Sequence, residues 1–134
     1  MTSRWIRVVH GRGPLASLLA GAFIAVAVNE YTSIYSGRAL PRGWVVLLIA
    51  SVLSAISAAF WLRTGVILSS IESALATAPA GVNVQNATEE LYRKHSRALK
   101  AAIFGALALA GVSLLILPLR VVDWSLVASR LPWR

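Results

Sequence analysis

Three long apolar runs dominate the pattern of hydrophobic and polar positions along the chain. They cover residues 14–35, 44–62 and 101–119. A helix rises ~1.5 Å per residue, so a run of about 19 residues spans about 28 Å, close to the ~30 Å hydrocarbon core of a bilayer. The pattern predicts an all-α membrane protein with three transmembrane helices, forming a single domain over residues 1–134.

The first run also fits a second interpretation. Arg4 and Arg7, an apolar stretch and then Ala-Val-Ala at 25–27 have the layout of a cleaved signal peptide. However, Tyr31 and Tyr35 at the far end of the run are suited to a membrane interface. We therefore expect the run to be retained as a spanning helix.

Helical spacing continues between the second and third runs. Val66, Ile71 and Leu75 share a face before Pro79, and Thr88 has the features of a new helix start after a turn at 83–86. This predicts that helices two and three, over about 44–78 and 88–119, project from the membrane as a cytoplasmic helical hairpin. A loose loop with short helical pieces is the alternative.

The carboxyl-terminal segment predicts one more element. Trp124, Val127 and Leu131 share a helical face, and Pro132 ends the pattern. The segment 123–131 is too short to span a bilayer, so we expect a short interfacial helix there.

Four of the five tryptophans lie near the ends of the predicted spans. Indole rings prefer the headgroup region, where the ring is apolar and the N–H stays hydrated. We expect these four residues to be interface anchors. They are Trp5, Trp44, Trp61 and Trp124.

Composition supports membrane residence and changes the expected partners. Hydrophobic residues make up 57% of the chain and charged residues 13%, about half the charged share of a soluble domain. A net charge of +8 would suggest nucleic acid for a soluble protein. Here the basic residues lie beside the apolar runs, as expected of helix ends that meet anionic headgroups. We expect contact with anionic lipids and no nucleic acid.

The same basic residues predict an orientation. Eight of them lie in the amino-terminal segment and the connection between the second and third runs, and five lie on the opposite side. The positive-inside rule then places the amino terminus in the cytoplasm and the carboxyl terminus outside. Eleven Arg against two Lys, with abundant Ala, Val and Leu, is typical of a GC-rich bacterial genome. We therefore expect a bacterial inner membrane.

Small residues at four-residue spacing form a row on each predicted span. In lipid, such rows let helix backbones approach closely, and the resulting packing drives association. We expect the rows to pack the helices against one another or against other subunits. The rows are Ser17, Gly21 and Ala25; Ala50, Ser54 and Ala58; and Ala102, Ala106 and Ala110 with nearby Gly105.

Polar chemistry inside the spans is sparse. The chain has no cysteine, so disulfides and thiolate metal sites are excluded. The second and third runs contain no charged residue and no histidine, and their serines can bond to carbonyls of their own helix. Glu30 is the acid within a span, and we expect it at headgroup depth near Arg38 or Arg42 rather than as a cation ligand.

His10 and His95 are the candidate haem ligands, because both precede a predicted span at a similar depth. The surrounding arginines and lysines favour interfacial histidines without a ligand instead. We expect no catalytic site, no metal site and no cofactor other than bound lipid.

These patterns favour a non-catalytic accessory or structural subunit of a larger membrane complex, whether respiratory, photosynthetic, transport or secretion. It would pack against other membrane protein subunits through its small-residue faces. One alternative is a self-assembling homo-oligomeric pore or holin-like protein whose serines line the path. A further alternative is a membrane anchor that binds haem or quinone.

Overall fold

The computed structural model describes residues 2–36, 43–79, 81, 83–121, 124–130 and 132, and this part of the chain is helical. Three helices are long and apolar enough to cross a membrane, over Gly13–Tyr35, Gly43–Ala76 and Val84–Leu119. The prediction of an all-α chain with three such helices is therefore confirmed. The elements are α1 (Thr2–Val9), α2 (Gly13–Tyr35), α3 (Gly43–Ala76), α4 (Val84–Ile116), a 3₁₀ helix (Leu117–Val121) and α5 (Trp124–Ser129).

The amino-terminal segment forms a helix of its own, which the sequence pattern did not predict. Gly11, at φ 73°, ends it in a left-handed conformation that glycine adopts without a steric penalty. Pro14 lies in the first turn of α2, where a missing N–H breaks no helical hydrogen bond. In α1, Ile6 and Val9 are buried whereas Arg4 and Arg7 are exposed. The segment is thus an amphipathic helix rather than a flanking tail.

α3 is the central helix of the bundle. It packs along both α2 and α4, whereas the described residues of α2 and α4 make few contacts with each other. The indole of Trp61 on α3 joins Ala16 and Ala20 of α2 and Ala106 of α4 in one buried cluster. A groove with α3 as its floor therefore separates α2 from α4.

α1 packs on the end of the bundle where α3 finishes and α4 begins. There it completes a second apolar cluster with side chains from both long helices. This packing places the amino-terminal helix at the same end as the α3–α4 connection. The buried members are Ile6, Val9, Leu68, Ile71, Tyr92 and Leu99.

The two long helices exceed the thickness of a bilayer. α3 has 34 residues and α4 has 33, so each is about 50 Å long. α4 begins at Val84, and the predicted turn over 83–86 with a start at Thr88 is wrong. Asn83 caps the helix by accepting a hydrogen bond from the Gln85 backbone N–H at 3.1 Å. Thr88 Oγ1 then donates to the Val84 carbonyl at 2.6 Å, within the first turns.

Candidate functional site

The small-residue rows of α3 and α4 lie inside the bundle. Gly105 is half-buried, and a Cβ at its position would lie 3.3 Å from the ring of Phe60. Such close packing is what small side chains permit between helices in lipid. The buried members are Ala50, Ser54 and Ala58 of α3, and Ala102, Ala106 and Ala110 of α4.

The row predicted on α2 lies mostly outside the bundle. Gly21 and Ala25 are exposed, and nothing lies within 4 Å of where a Gly21 Cβ would be. Ser17 is exposed as well, at the edge of the α2–α3 interface, with its Oγ 3.0 Å from the Cβ position of Gly65. We call Ser17, Gly21 and Ala25 the outer row of α2.

A second set of small residues forms the internal face of α2. Neighbouring positions on a helix differ by about 100°, so this face and the outer row point in different directions. The close approach of Gly13 to Gly65 and the indole of Trp61 determine which face is buried. The internal small residues are Gly13, Ala16, Ala20 and Ala27.

Two serines of α3 connect that helix to both of its neighbours. Ser51 Oγ donates to the Ala27 carbonyl of α2 at 2.8 Å. Ser57 Oγ donates to the Ala106 carbonyl of α4 at 2.9 Å. The expected bonds to carbonyls of their own helix are therefore wrong. The adjoining alanines bring a partner backbone close enough to accept instead.

A further hydroxyl pair lies at the α3–α4 interface. Ser54 and Ser113 are both fully buried, and their Oγ atoms are 2.6 Å apart. Ser113 Oγ also lies 3.2 Å from the Ala50 carbonyl. Here too the serine bonds cross between helices. The polar groups of α3 and Ser113 of α4 thus stabilise contacts inside one chain.

Glu30 also points into the bundle. Its side chain is 4% exposed on the internal face of α2, one turn beyond Ala27. Protein therefore covers the carboxylate, and its expected depth at the headgroups stays a prediction. Arg38 and Arg42, its expected neighbours, lie outside the described residues.

The two histidines have separate hydrogen-bond partners. His10 Nδ1 is 3.2 Å from the hydroxyl of Tyr92. His95 Nδ1 is 3.0 Å from the Leu91 carbonyl on its own helix, so this nitrogen carries the hydrogen. No group of three metal-binding side chains occurs in the part of the chain that the structure describes.

An open pocket of about 570 Å³ lies beside His10, where α1 meets the ends of α3 and α4. Its wall includes Arg7 and Glu72. Tyr92 lies next to this pocket, outside the apolar run of α4. Burial raises the pKa of the Tyr92 hydroxyl above its usual value of 10.0, and the negative charge of Glu72 acts in the same direction.

The tryptophans divide into two environments. Trp44, at the start of α3, is 50% exposed, as an interface residue can be. Trp61 is only 9% exposed, so its ring is buried in the bundle, and its assignment as an interface anchor stays a prediction. The groove between α2 and α4 provides an apolar place for its ring. The side chains of Trp5 and Trp124 lie outside the described part of the structure.

The described residues thus offer packing faces, interhelical hydrogen bonds and an open pocket beside His10. No protein family, curated protein or solved structure matches the chain.

Proposed function

We propose that the protein is a non-catalytic subunit of a larger membrane complex and that a helix of another subunit packs on the outer row of α2. The observation that carries the proposal is the exposure of Ser17, Gly21 and Ala25 on a helix able to span a membrane. The rows on α3 and α4 are covered by neighbouring helices of the same chain. In the outer row, Gly21 and Ala25 are not covered.

An uncovered row of small residues favours a helix as its partner. Leu18 and Val28 near the row are 71% and 57% exposed, so this surface of α2 is accessible to lipid or to another helix. Lipid chains are as apolar as leucine, and association therefore depends on close packing rather than on hydrophobic burial. A helix that packs on the small residues of this row gains such contacts.

The serine hydroxyls of α3 face neighbouring helices of the same chain, which disfavours the pore alternative. Ser51, Ser54 and Ser57 are at most 8% exposed and make hydrogen bonds to neighbouring helices. A pore built from several copies would need these hydroxyls on an outer face. The haem-anchor alternative is also weakened, because His10 and His95 have different partners within the protein.

The orientation and the cytoplasmic hairpin remain part of the proposal. α1 lies at the same end of the bundle as the α3–α4 connection. The eight basic residues at positions 4–12 and 63–100 therefore lie toward one end, which supports an inner-membrane protein with this end in the cytoplasm. That end would contact anionic lipids, and α5 would lie on the opposite surface.

Site-specific photo-crosslinking in the native membrane tests the proposal. A photoreactive residue at Leu18 flanks the outer row, and one at Leu115, which is 77% exposed on α4, is a matched control. We expect position 18 to yield an adduct with a different membrane protein and position 115 to yield none. Adducts whose masses are multiples of this chain alone would support homo-oligomers and contradict the proposal.

A pair of glycine substitutions tests the contact itself. Gly21 and Gly111 are both exposed and have open space around the Cβ position. Leucine is a better helix former than glycine by up to about 1 kcal/mol, so neither variant should unfold its helix. Gly21→Leu should abolish the adduct at position 18, whereas Gly111→Leu should leave it unchanged. Equal adduct yields from both variants would show that the row is not the contact.

A further inference from the structure

We infer that the groove between α2 and α4 binds an anionic phospholipid, with part of an acyl chain against Trp61 and the phosphate at Arg12. The groove exists because α3 separates the two helices, and α1 closes one end of it. Within it lies a cavity of about 160 Å³, whose wall includes Val9, Leu19 and Ile103. The site is independent of the proposed contact on the outer row of α2.

Trp61 contributes a hydrogen-bond donor to this wall. Its side chain is 9% exposed, and its Nε1 is buried without a hydrogen-bond acceptor among the described residues. Buried indole N–H groups usually have an acceptor. The ester carbonyl of a phospholipid, which lies between the acyl chain and the headgroup, supplies one beside an otherwise apolar wall.

Arg12 gives the site its charge preference. It is the charged residue of the described wall, and it lies in the short connection between α1 and α2. A guanidinium pairs with phosphate oxygens by two parallel hydrogen bonds. Further basic residues of α1, of the second half of α3 and of the first half of α4 lie toward this end of the bundle. The combined charge favours a lipid with net negative charge over a zwitterionic one.

The size and position of the cavity favour a lipid over a compact soluble ligand. A volume of about 160 Å³ holds a short length of hydrocarbon but not a whole lipid. The cavity is partly open, and it adjoins the spanning parts of α2, α3 and α4. The rest of an acyl chain can therefore remain in the bilayer while its upper part occupies the groove.

Fluorescence quenching by brominated lipids tests the inference. In the purified full-length chain, phenylalanine replaces Trp5, Trp44, Trp124 and Trp133, so that Trp61 is the reporter. Bromine on an acyl chain quenches an indole that the chain contacts. We expect brominated phosphatidylglycerol to quench Trp61 at about ten-fold lower concentration than phosphatidylcholine with the same chains. Both lipids offer a phosphate, but the choline ammonium of phosphatidylcholine is repelled by Arg12, and ten-fold corresponds to about 1.4 kcal/mol, the order of one partly screened charge interaction. Equal quenching by the two lipids would overturn the inference.

Two arginine variants separate a specific site from general electrostatic attraction. Arg12→Gln and Arg4→Gln remove the same charge at the same end of the bundle, but Arg4 is not part of the cavity wall. Arg12→Gln should remove the preference for phosphatidylglycerol, and Arg4→Gln should preserve most of it. A similar loss in both variants would show that the basic surface attracts the lipid without a defined site.

Discussion

Ser113 accepts a hydrogen bond from Ser54 across the α3–α4 interface, at an Oγ–Oγ distance of 2.6 Å. The direction of this bond follows from a third group. Ser113 Oγ lies 3.2 Å from the Ala50 carbonyl, which can only accept, so the single hydroxyl hydrogen of Ser113 is directed there. Ser54 is then the donor of the shared bond. The two serines and Ala50 form one continuous connection between α3 and α4.

This direction predicts unequal effects for the two alanine substitutions. Ser113→Ala removes both interhelical bonds, whereas Ser54→Ala leaves the bond from Ser113 to Ala50 in place. Interhelical hydrogen bonds in membranes contribute about 0.6–2 kcal/mol each. We expect Ser54→Ala to lower the free energy of unfolding by about 0.6–2 kcal/mol, and Ser113→Ala by more, up to about 4 kcal/mol. Unfolding by a denaturing detergent in mixed micelles measures the difference.

Ser69→Ala is the control for the serine pair. Ser69 is exposed, and its hydroxyl donates to the Val66 carbonyl of its own helix at 3.0 Å. Its removal should change the free energy of unfolding by less than about 0.5 kcal/mol. A loss for Ser54→Ala that equals or exceeds the loss for Ser113→Ala would refute the assigned direction.

The contact between α2 and α3 depends on Gly65. A Cβ at this position would lie 3.0 Å from Ser17 Oγ and 3.5 Å from the Gly13 carbonyl oxygen. A leucine there must push the two helices apart, at a cost of about 1–3 kcal/mol in the free energy of unfolding. We expect Gly65→Leu to be destabilised by this amount in the same detergent titration.

The matched control for Gly65 is Gly111, which has no atom within 4 Å of its Cβ position. Gly111→Leu should be neutral or slightly more stable than the parent, since leucine favours the helix. If Gly65→Leu were as stable as Gly111→Leu, the result would contradict the close packing of α2 against α3 at Gly65.

The spans could be predicted from the sequence because hydrocarbon imposes a strict rule. A backbone inside the bilayer must satisfy its polar groups within a helix, and about 20 apolar residues are then required. The runs at 14–35, 44–62 and 101–119 satisfy this rule without reference to any tertiary contact. The long helices of the structure contain all three.

The faces of those helices were harder to predict because they depend on partners. α2 carries two sets of small residues, and only the positions of Gly65 and Trp61 determine which set is buried. The burial of Trp61 was missed for the same reason, since the sequence does not reveal the groove between α2 and α4. For α1, the sequence does contain a signal: Ile6 and Val9 are three residues apart, with Arg4 and Arg7 at other positions, which is the spacing of an amphipathic helix.

Ile6 should determine whether α1 stays packed on the bundle. Its side chain is 8% exposed, and it contacts the cluster formed by α3 and α4. Placing an amide group there leaves it without hydrogen-bond partners, which costs about 1–3 kcal/mol. We expect Ile6→Asn to release α1, so that the amides of residues 2–9 exchange hydrogen much faster by mass spectrometry.

Val8 provides the comparison for Ile6 within the same helix. Val8 is 52% exposed, so Val8→Asn leaves the packed face of α1 intact. In Val8→Asn, the hydrogen-exchange rates of the amides of residues 2–9 should remain within about two-fold of the parent. The free energy for detaching α1 from the bundle should change by less than about 0.5 kcal/mol. Equally fast exchange in both variants would show that polarity, and not the buried contact of Ile6, controls the docking of α1.

Tyr92 should make the stability of this end of the bundle sensitive to alkaline pH. Burial and the charge of Glu72 raise the pKa of its hydroxyl above 10.0, so the folded protein favours the neutral phenol. Its contribution to the free energy of unfolding is then fully present below about pH 10 and is lost as the pH rises above that value. Phenolate absorbance should show a tyrosine that titrates at higher pH than the others, and Tyr92→Phe should remove it. The free energy of unfolding, measured by detergent titration, should fall less between about pH 9 and pH 11 for Tyr92→Phe than for the parent. A parent and a variant that lose stability in parallel over this interval would show that Tyr92 ionises as freely in the folded protein as in the unfolded chain.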